Sequence, residues 1–167
     1  MALCFELVVD FGGNIEAARA AARLETWPFT LPAGRYRIPL HRPMLAVEGE
    51  SAQLAVVPVA VGYGVAADGS LPRFQLTDAE LTELGHGLYR LLARFDGYLT
   101  ALVGWDPECL LDVDDLAADW RPELSDGTLP GLVLAEQLRT RLPLGDRWVP
   151  FRPGYLWLPY DEEGTAR

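Results

Sequence analysis

Carboxylates crowd one stretch of this chain. Between Asp96 and Asp126 there are nine acidic residues against a single base, Arg121, so this stretch carries −8 of the formal net charge of −10. Clustered carboxylates repel one another and destabilise a compact state, so folding alone does not require them. Acidic faces suit basic partners. The sequence therefore predicts an acidic face whose candidate contact residues are Asp106, Glu108, Asp112, Asp114, Asp115 and Asp119.

These six carboxylates are expected to be mainly solvent-exposed, because burying an unpaired carboxylate is very costly. Trp105 and Trp120 flank the densest part of the stretch. Both are expected to anchor it in the core, because they are the large apolar groups beside it.

Three of the carboxylates, Asp112, Asp114 and Asp115, suggest a calcium loop as an alternative. Calcium loops place oxygen ligands at fixed offsets and use a glycine for the sharp turn. No glycine lies here, and Leu116 and Trp120 follow at helical spacing. We therefore predict a short helix capped by Asp112 or Asp114, and neither a metal nor another cofactor. Whether the face binds a partner or is only solvated stays open.

A second set of residues is suited to binding anions. Arg37 lies in a predicted strand over residues 36–40, Arg35 directly precedes that strand on the same face, and His41 and Arg42 follow it. Guanidinium groups bind carboxylate and phosphate oxygens in a bidentate manner. These four residues define the alternative function, a small enzyme or ligand-binding domain. The arginines can equally pair with the protein's own carboxylates, which outnumber its bases.

Catalytic motifs are missing from the sequence. Neither histidine, His41 nor His86, belongs to a His-x-x-x-His pair, and the chain has no Gly-x-Ser-x-Gly or Cys-x-x-Cys. All 14 strong bases are arginine, which excludes Schiff-base chemistry, a P-loop lysine and a Ser–Lys dyad. The negative net charge opposes the basic footprint that nucleic-acid binding needs. The sequence favours a non-enzymatic protein that does not bind nucleic acid.

The hydrophobic pattern predicts an α+β fold. Phe5 to Phe11 alternates as a strand does, Asn14 is a good N-cap for a helix from Ile15 to about Glu25, and Thr77 begins a capping box with Glu80. Further strands are predicted over residues 36–40, 44–47, 54–64, 98–105 and 155–158, and a further helix over residues 128–142. We expect a mostly antiparallel sheet with helices packed on one face.

Length and composition predict a single domain. The 167 residues, 50% of them hydrophobic, suit one α+β domain over residues 1–160 and a polar, frayed tail over residues 161–167. Two cysteines are too few for a disulfide framework and fit a reducing cytosol. The N-terminus lacks a signal peptide's basic region, and no apolar run approaches the ~20 residues that span a bilayer. We expect a cytoplasmic protein without a membrane partner.

One segment resembles a known class of proteins. Residues 84–115 carry Leu-x-x-x-Leu-x-x-Leu-Leu, then Phe95-Asp96-Gly97-Tyr98 and Gly104-Trp105-Asp106-Pro107-Glu108, with Leu116 just beyond. This resembles the small acidic immunity proteins of bacterial toxin–immunity systems, which often place a Trp-Asp-x-Glu-like turn after a strand. The resemblance implies a cytoplasmic protein that blocks a cognate toxin, and many such toxins are basic. It identifies no contact residue.

Overall fold

An antiparallel sheet is the framework of the protein. The structure, a computed structural model, describes residues 3–24, 29–63 and 74–160. The described strands are β1 (Leu3–Gly12), β2 (Thr30–Ala33), β3 (Tyr36–Pro39), β4 (Met44–Glu48), β5 (Ser51–Val56), β6 (Gly62–Tyr63), β7 (Thr100–Trp105), β8 (Val133–Ala135), β9 (Val149–Arg152) and β10 (Tyr155–Trp157). The described α-helices are α1 (Ile15–Ala22), α2 (Asp78–Leu92), α3 (Val113–Asp119) and α4 (Arg121–Asp126), and 3₁₀ helices span Pro107–Leu110 and Glu136–Thr140.

The strand order of the main sheet is β4-β5-β1-β7-β8-β10-β9, and β6 pairs with the start of β1. Neighbouring strands in this sheet are antiparallel, and β2 and β3 form a separate antiparallel hairpin. The predicted α+β class with a mostly antiparallel sheet is confirmed.

Helices α1 and α2 cover one face of this sheet. Two glycines let α2 approach its neighbours on both sides. A Cβ at Gly85 would lie 3.6 Å from Phe5 of β1, and one at Gly87 would lie 3.2 Å from Leu31 of β2. The helix α2 is therefore enclosed between the main sheet and the β2–β3 hairpin. The helix α1 contacts β1, β4 and β5, and buries Ala18 and Ala21.

The opposite face of the central strands is covered by the chain that follows β7. Thr100 of β7 is fully buried, and its hydroxyl donates a hydrogen bond to the Leu111 carbonyl at 2.6 Å. Leu111, Leu116 and Leu124 are also fully buried. Both faces of β1 and β7 are therefore buried: residues 100–103 of β7 are buried at every position, and in β1 burial includes Glu6 and Asp10, which the sequence alternation assigns to solvent.

The predicted helix caps are confirmed. The Asn14 side chain accepts a hydrogen bond from the Ala17 N–H at the start of α1, and Thr77 and Glu80 form the capping box of α2. Asp112 caps α3. The first helix ends at Ala22, three residues before its predicted end near Glu25, and the predicted frayed tail over residues 161–167 lies outside the described residues.

Two predicted elements are wrong. Residues 128–142 contain strand β8 and a 3₁₀ helix instead of one α-helix, because Val133–Ala135 is buried between β7 and β10 and pairs with both. The strand predicted over residues 54–64 ends at Val56 and resumes as β6. Between these strands Pro58 lacks an N–H, and Ala60 has a φ of +60°, which breaks the extended conformation.

None of the helices in the described ranges has the length and apolar character needed to cross a membrane.

Candidate functional site

The acidic segment, residues 106–126, folds as a 3₁₀ helix followed by α3 and α4. Leu111, Val113, Leu116 and Leu124 are buried and fix this segment on the sheet. The helix α4 ends at Gly127, whose φ of +67° is the left-handed conformation that glycine adopts at little cost. The backbone that carries the carboxylates is therefore held by the core.

Asp106 is half-buried, so the prediction of an exposed carboxylate is wrong for this residue. Its Oδ1 accepts a hydrogen bond from the Cys4 N–H at 2.8 Å, and its own N–H donates to the Cys4 carbonyl at 3.0 Å. These bonds hold the end of β7 against β1. Asp106 thus stabilises the fold, and its carboxylate is already engaged. Glu108 lies in the 3₁₀ helix, and its side chain is outside the described part of the structure.

Asp112 and Asp114 are exposed, as predicted, and both also contact the protein itself. Oδ1 of Asp112 accepts hydrogen bonds from the N–H groups of Asp114 and Asp115, at 2.8 and 2.9 Å. This is an N-cap, and it satisfies two backbone donors at the start of α3. The Asp114 carboxylate lies 2.6 Å from Arg141, but both side chains are more than half exposed. Such a surface ion pair adds little stability.

Asp115, Asp119 and Asp126 are exposed, and within the described ranges their side chains make no hydrogen bond or ion pair. Asp112, Asp115 and Asp119 follow one another at intervals of three and four residues, so they share one face of α3. The structure thus places three predicted carboxylates on one exposed helical face.

Asp10 is a buried carboxylate that sequence analysis missed as a site residue. Only 6% of it is exposed, and one oxygen accepts a hydrogen bond from the Gly12 N–H at 3.2 Å. Burial raises the pKa of Asp10, and the negative charge of Asp112 raises it further, while the Gly12 N–H lowers it. The alternation in β1 assigns Asp10 to a solvent face, and only the chain after β7 turns that face into interior.

The tryptophan prediction is wrong for Trp105, which is 38% exposed and packs edge-on against Phe5. Trp120 is half-buried and packs against the core. The tryptophan that anchors α4 is Trp148, which is buried and donates a hydrogen bond from Nε1 to the Leu124 carbonyl at 3.0 Å.

The alternative anion site lies on the outer hairpin and the chain after it. Arg35, Arg37, His41 and Arg42 are all exposed. The Arg35 guanidinium donates to the Tyr36 hydroxyl at 2.7 Å and lies over the same ring, 4.9 Å from its centre. Arg35 is thus engaged with Tyr36 and all four side chains lie open to solvent, so they do not form an enclosed site.

A cavity of about 110 Å³ lies beside β7 and is lined by Leu102, Leu110, Thr128, Leu129, Pro130 and Leu132. Ligand pockets are commonly about 300–1,000 Å³ and present several converging polar groups. This cavity is smaller, and Thr128 is the one lining residue with a polar side chain. In the described ranges, no three His, Cys, Asp or Glu side chains are grouped so as to hold a metal ion.

Comparisons with protein-family models, with curated proteins and with solved structures gave no match.

Proposed function

We propose that this protein is a non-enzymatic binding module that docks its acidic segment on a basic partner protein. The observation that carries the proposal is the exposed carboxylate face of α3, formed by Asp112, Asp115 and Asp119.

Two of these carboxylates repel each other along α3. Asp115 and Asp119 are four residues apart, and like charges at that spacing destabilise a helix by about 0.2–0.5 kcal/mol. Asp119 is also the last residue of α3, where the helix dipole disfavours a negative charge, and the last turn contains no basic residue. Within the described chain, no contact of either side chain compensates for this repulsion. Asp115 lies in the first turn of α3, where the helix dipole favours a negative charge, so it is the acid at Asp119 that a role outside folding explains.

The face is also preformed. Val113 and Leu116 of α3 are buried, and the Asp112 cap fixes the first turn of the helix. A partner that binds this face does not have to order it, which lowers the cost of association. An exposed cluster of one charge sign also accelerates encounter with a partner of opposite charge.

The most concrete form of the proposal is an immunity-type inhibitor of a basic toxin. It is supported by the Gly104–Glu108 segment, which runs from the end of β7 into the 3₁₀ helix, and by the resemblance of that segment to acidic immunity proteins. Under this proposal the acidic segment covers a basic surface of the toxin.

The test is affinity capture with three versions of the protein as bait. Asp115→Asn/Asp119→Asn removes two charges from the α3 face. Glu136→Gln/Asp146→Asn removes two charges from exposed positions elsewhere and is the matched control. We expect wild type and control to retain the same basic protein from extracts of the source cells, and the α3 variant to lose it. Equal capture by all three baits, or capture of acidic proteins only, would contradict the proposal.

A further inference from the structure

The strand β4 is an edge of the main sheet that lacks the usual protection. It pairs with β5 on one side, and on the other side no strand of the described residues pairs with it. Met44 is 57% exposed and Val47 is 44% exposed. Proteins commonly protect such edges with charges, prolines or bulges. The opposite edge, β9, contains Pro150 and a register shift, whereas β4 contains no proline and its one charged residue is Glu48 at the end beside the turn.

The β4–β5 turn determines which backbone groups of β4 are unpaired. Glu48 opposite Ser51 closes a two-residue turn, in which Gly49 has a φ of +59°. The pair that closes such a turn is hydrogen-bonded, and bonded and non-bonded pairs alternate along antiparallel strands. Met44, Ala46 and Glu48 therefore direct their backbone groups to β5. Leu45 and Val47 direct theirs away from the sheet, and within the described chain these groups have no partner.

We infer that β4 pairs antiparallel with β4 of a second copy of this chain, about a two-fold axis at Ala46. This register places Leu45 opposite the second copy's Val47. All four outward N–H and C=O groups of these two residues then form hydrogen bonds between the copies.

Charge complementarity favours the same register. Arg42 precedes β4 and is exposed, and Glu48 and Glu50 at the other end are exposed as well. The two-fold axis brings each Arg42 opposite the turn that holds Glu50 in the other copy, so that the contact occurs twice. No acid faces an acid across the axis. Shifting the axis to Leu45 would place the Val47 carbonyl opposite Pro43, which has no donor for it.

The predicted dimer is weak because two five-residue strands form a small interface. We expect dissociation on dilution, with a Kd on the order of 10 µM. Side chains outside the acidic segment carry this inference, so it stands or fails independently of the proposed function.

The test is sedimentation velocity from about 1 to about 300 µM, a range chosen to bracket that Kd. Wild type should shift from monomer to dimer. Arg42→Glu and Glu50→Arg should each raise Kd by about tenfold, because like charges then face each other. The double variant Arg42→Glu/Glu50→Arg should restore association to within about threefold of wild type. Arg90→Glu, an exposed change on α2, is the control and should have no effect.

Hydrogen exchange reports the pairing itself. The amides of Leu45 and Val47 should exchange more slowly as concentration rises, and in the Arg42→Glu variant the same slowing should require about tenfold higher concentration. A wild-type protein that stays monomeric at the highest concentration would overturn the inference. A double variant no more associated than the single variants would also overturn it.

Discussion

The cap on α3 offers a sharp test of which acidic residues stabilise the fold. Asp112 has two separable properties, an oxygen that accepts hydrogen bonds and a negative charge. Its Oδ1 accepts from the N–H groups of Asp114 and Asp115 at 2.8 and 2.9 Å. Asp112→Asn keeps an acceptor and removes the charge, whereas Asp112→Ala removes both. The comparison of these two variants isolates the cap.

The magnitude follows from this geometry. Replacing an Asp N-cap by Ala costs about 1 kcal/mol, within a range of about 0.5–2 kcal/mol. In a chain of this length, 1 kcal/mol changes the melting temperature by about 2–4 °C. Asp112→Asn should match or slightly exceed wild type, because Asn caps as well as Asp and removal of the charge relieves repulsion of Asp10.

The assay is thermal unfolding at pH 7, supported by urea titration of all three proteins. We expect Asp112→Ala to melt about 2–4 °C below Asp112→Asn, with unchanged urea m-values. Equal melting temperatures for wild type and both variants would show that the cap does not stabilise α3. An Asn variant as unstable as the Ala variant would show that the charge, rather than the acceptor, is structural.

Three further predictions follow from buried groups. The pKa of Asp10 is raised in the folded state above the ordinary value of 3.8. The protonated Asp10 carboxyl therefore contributes fully to stability below pH 3.8, and this contribution is lost as pH rises through the folded-state pKa. Asp10→Asn should therefore exceed wild type in melting temperature at pH 7 and lose this advantage below pH 3.8; the opposite trend would refute the direction of the shift. Gly85→Ala should stabilise the protein by about 0.5–1 kcal/mol in urea titration, because alanine has the higher helix propensity. The new Cβ would lie 3.6 Å from Phe5, an ordinary van der Waals contact. A loss of stability would show that this contact is too tight. Tyr89→Phe should cost about 1–3 kcal/mol of stability in the same assay. The Tyr89 hydroxyl accepts a hydrogen bond from the buried Val103 N–H and donates one to the Gly131 carbonyl, and both groups would lose this partner. A variant as stable as wild type would refute a stabilising role for the hydroxyl.

Local signals predicted the parts of the fold that depend on neighbouring residues in the sequence. The Asn14 cap, the Thr77–Glu80 capping box and the Asp112 cap are each contained within a few residues, and all three form. The exposure of Asp115 and Asp119 followed from the cost of burying carboxylates without a base nearby.

The remaining errors arise from contacts between distant segments. Val133–Ala135 is a strand because β7 and β10 flank it, although the leucine spacing of residues 128–142 predicts a helix. Asp106 is engaged because Cys4 lies beside it, 102 residues away in the sequence. Asp10 is interior because the chain after β7 covers its face. None of these partners can be read from the local sequence.

The measurement that tests the central claim most directly is the association rate of the captured basic protein with three versions of this chain, taken across a salt series. We expect Asp115→Asn/Asp119→Asn to melt no lower than wild type and to associate about tenfold more slowly at low salt, with a weaker dependence of the rate on salt. The control Glu136→Gln/Asp146→Asn should keep the wild-type rate. A double α3 variant that binds at the wild-type rate, or one that melts several degrees lower, would contradict the claim that these carboxylates serve binding rather than folding.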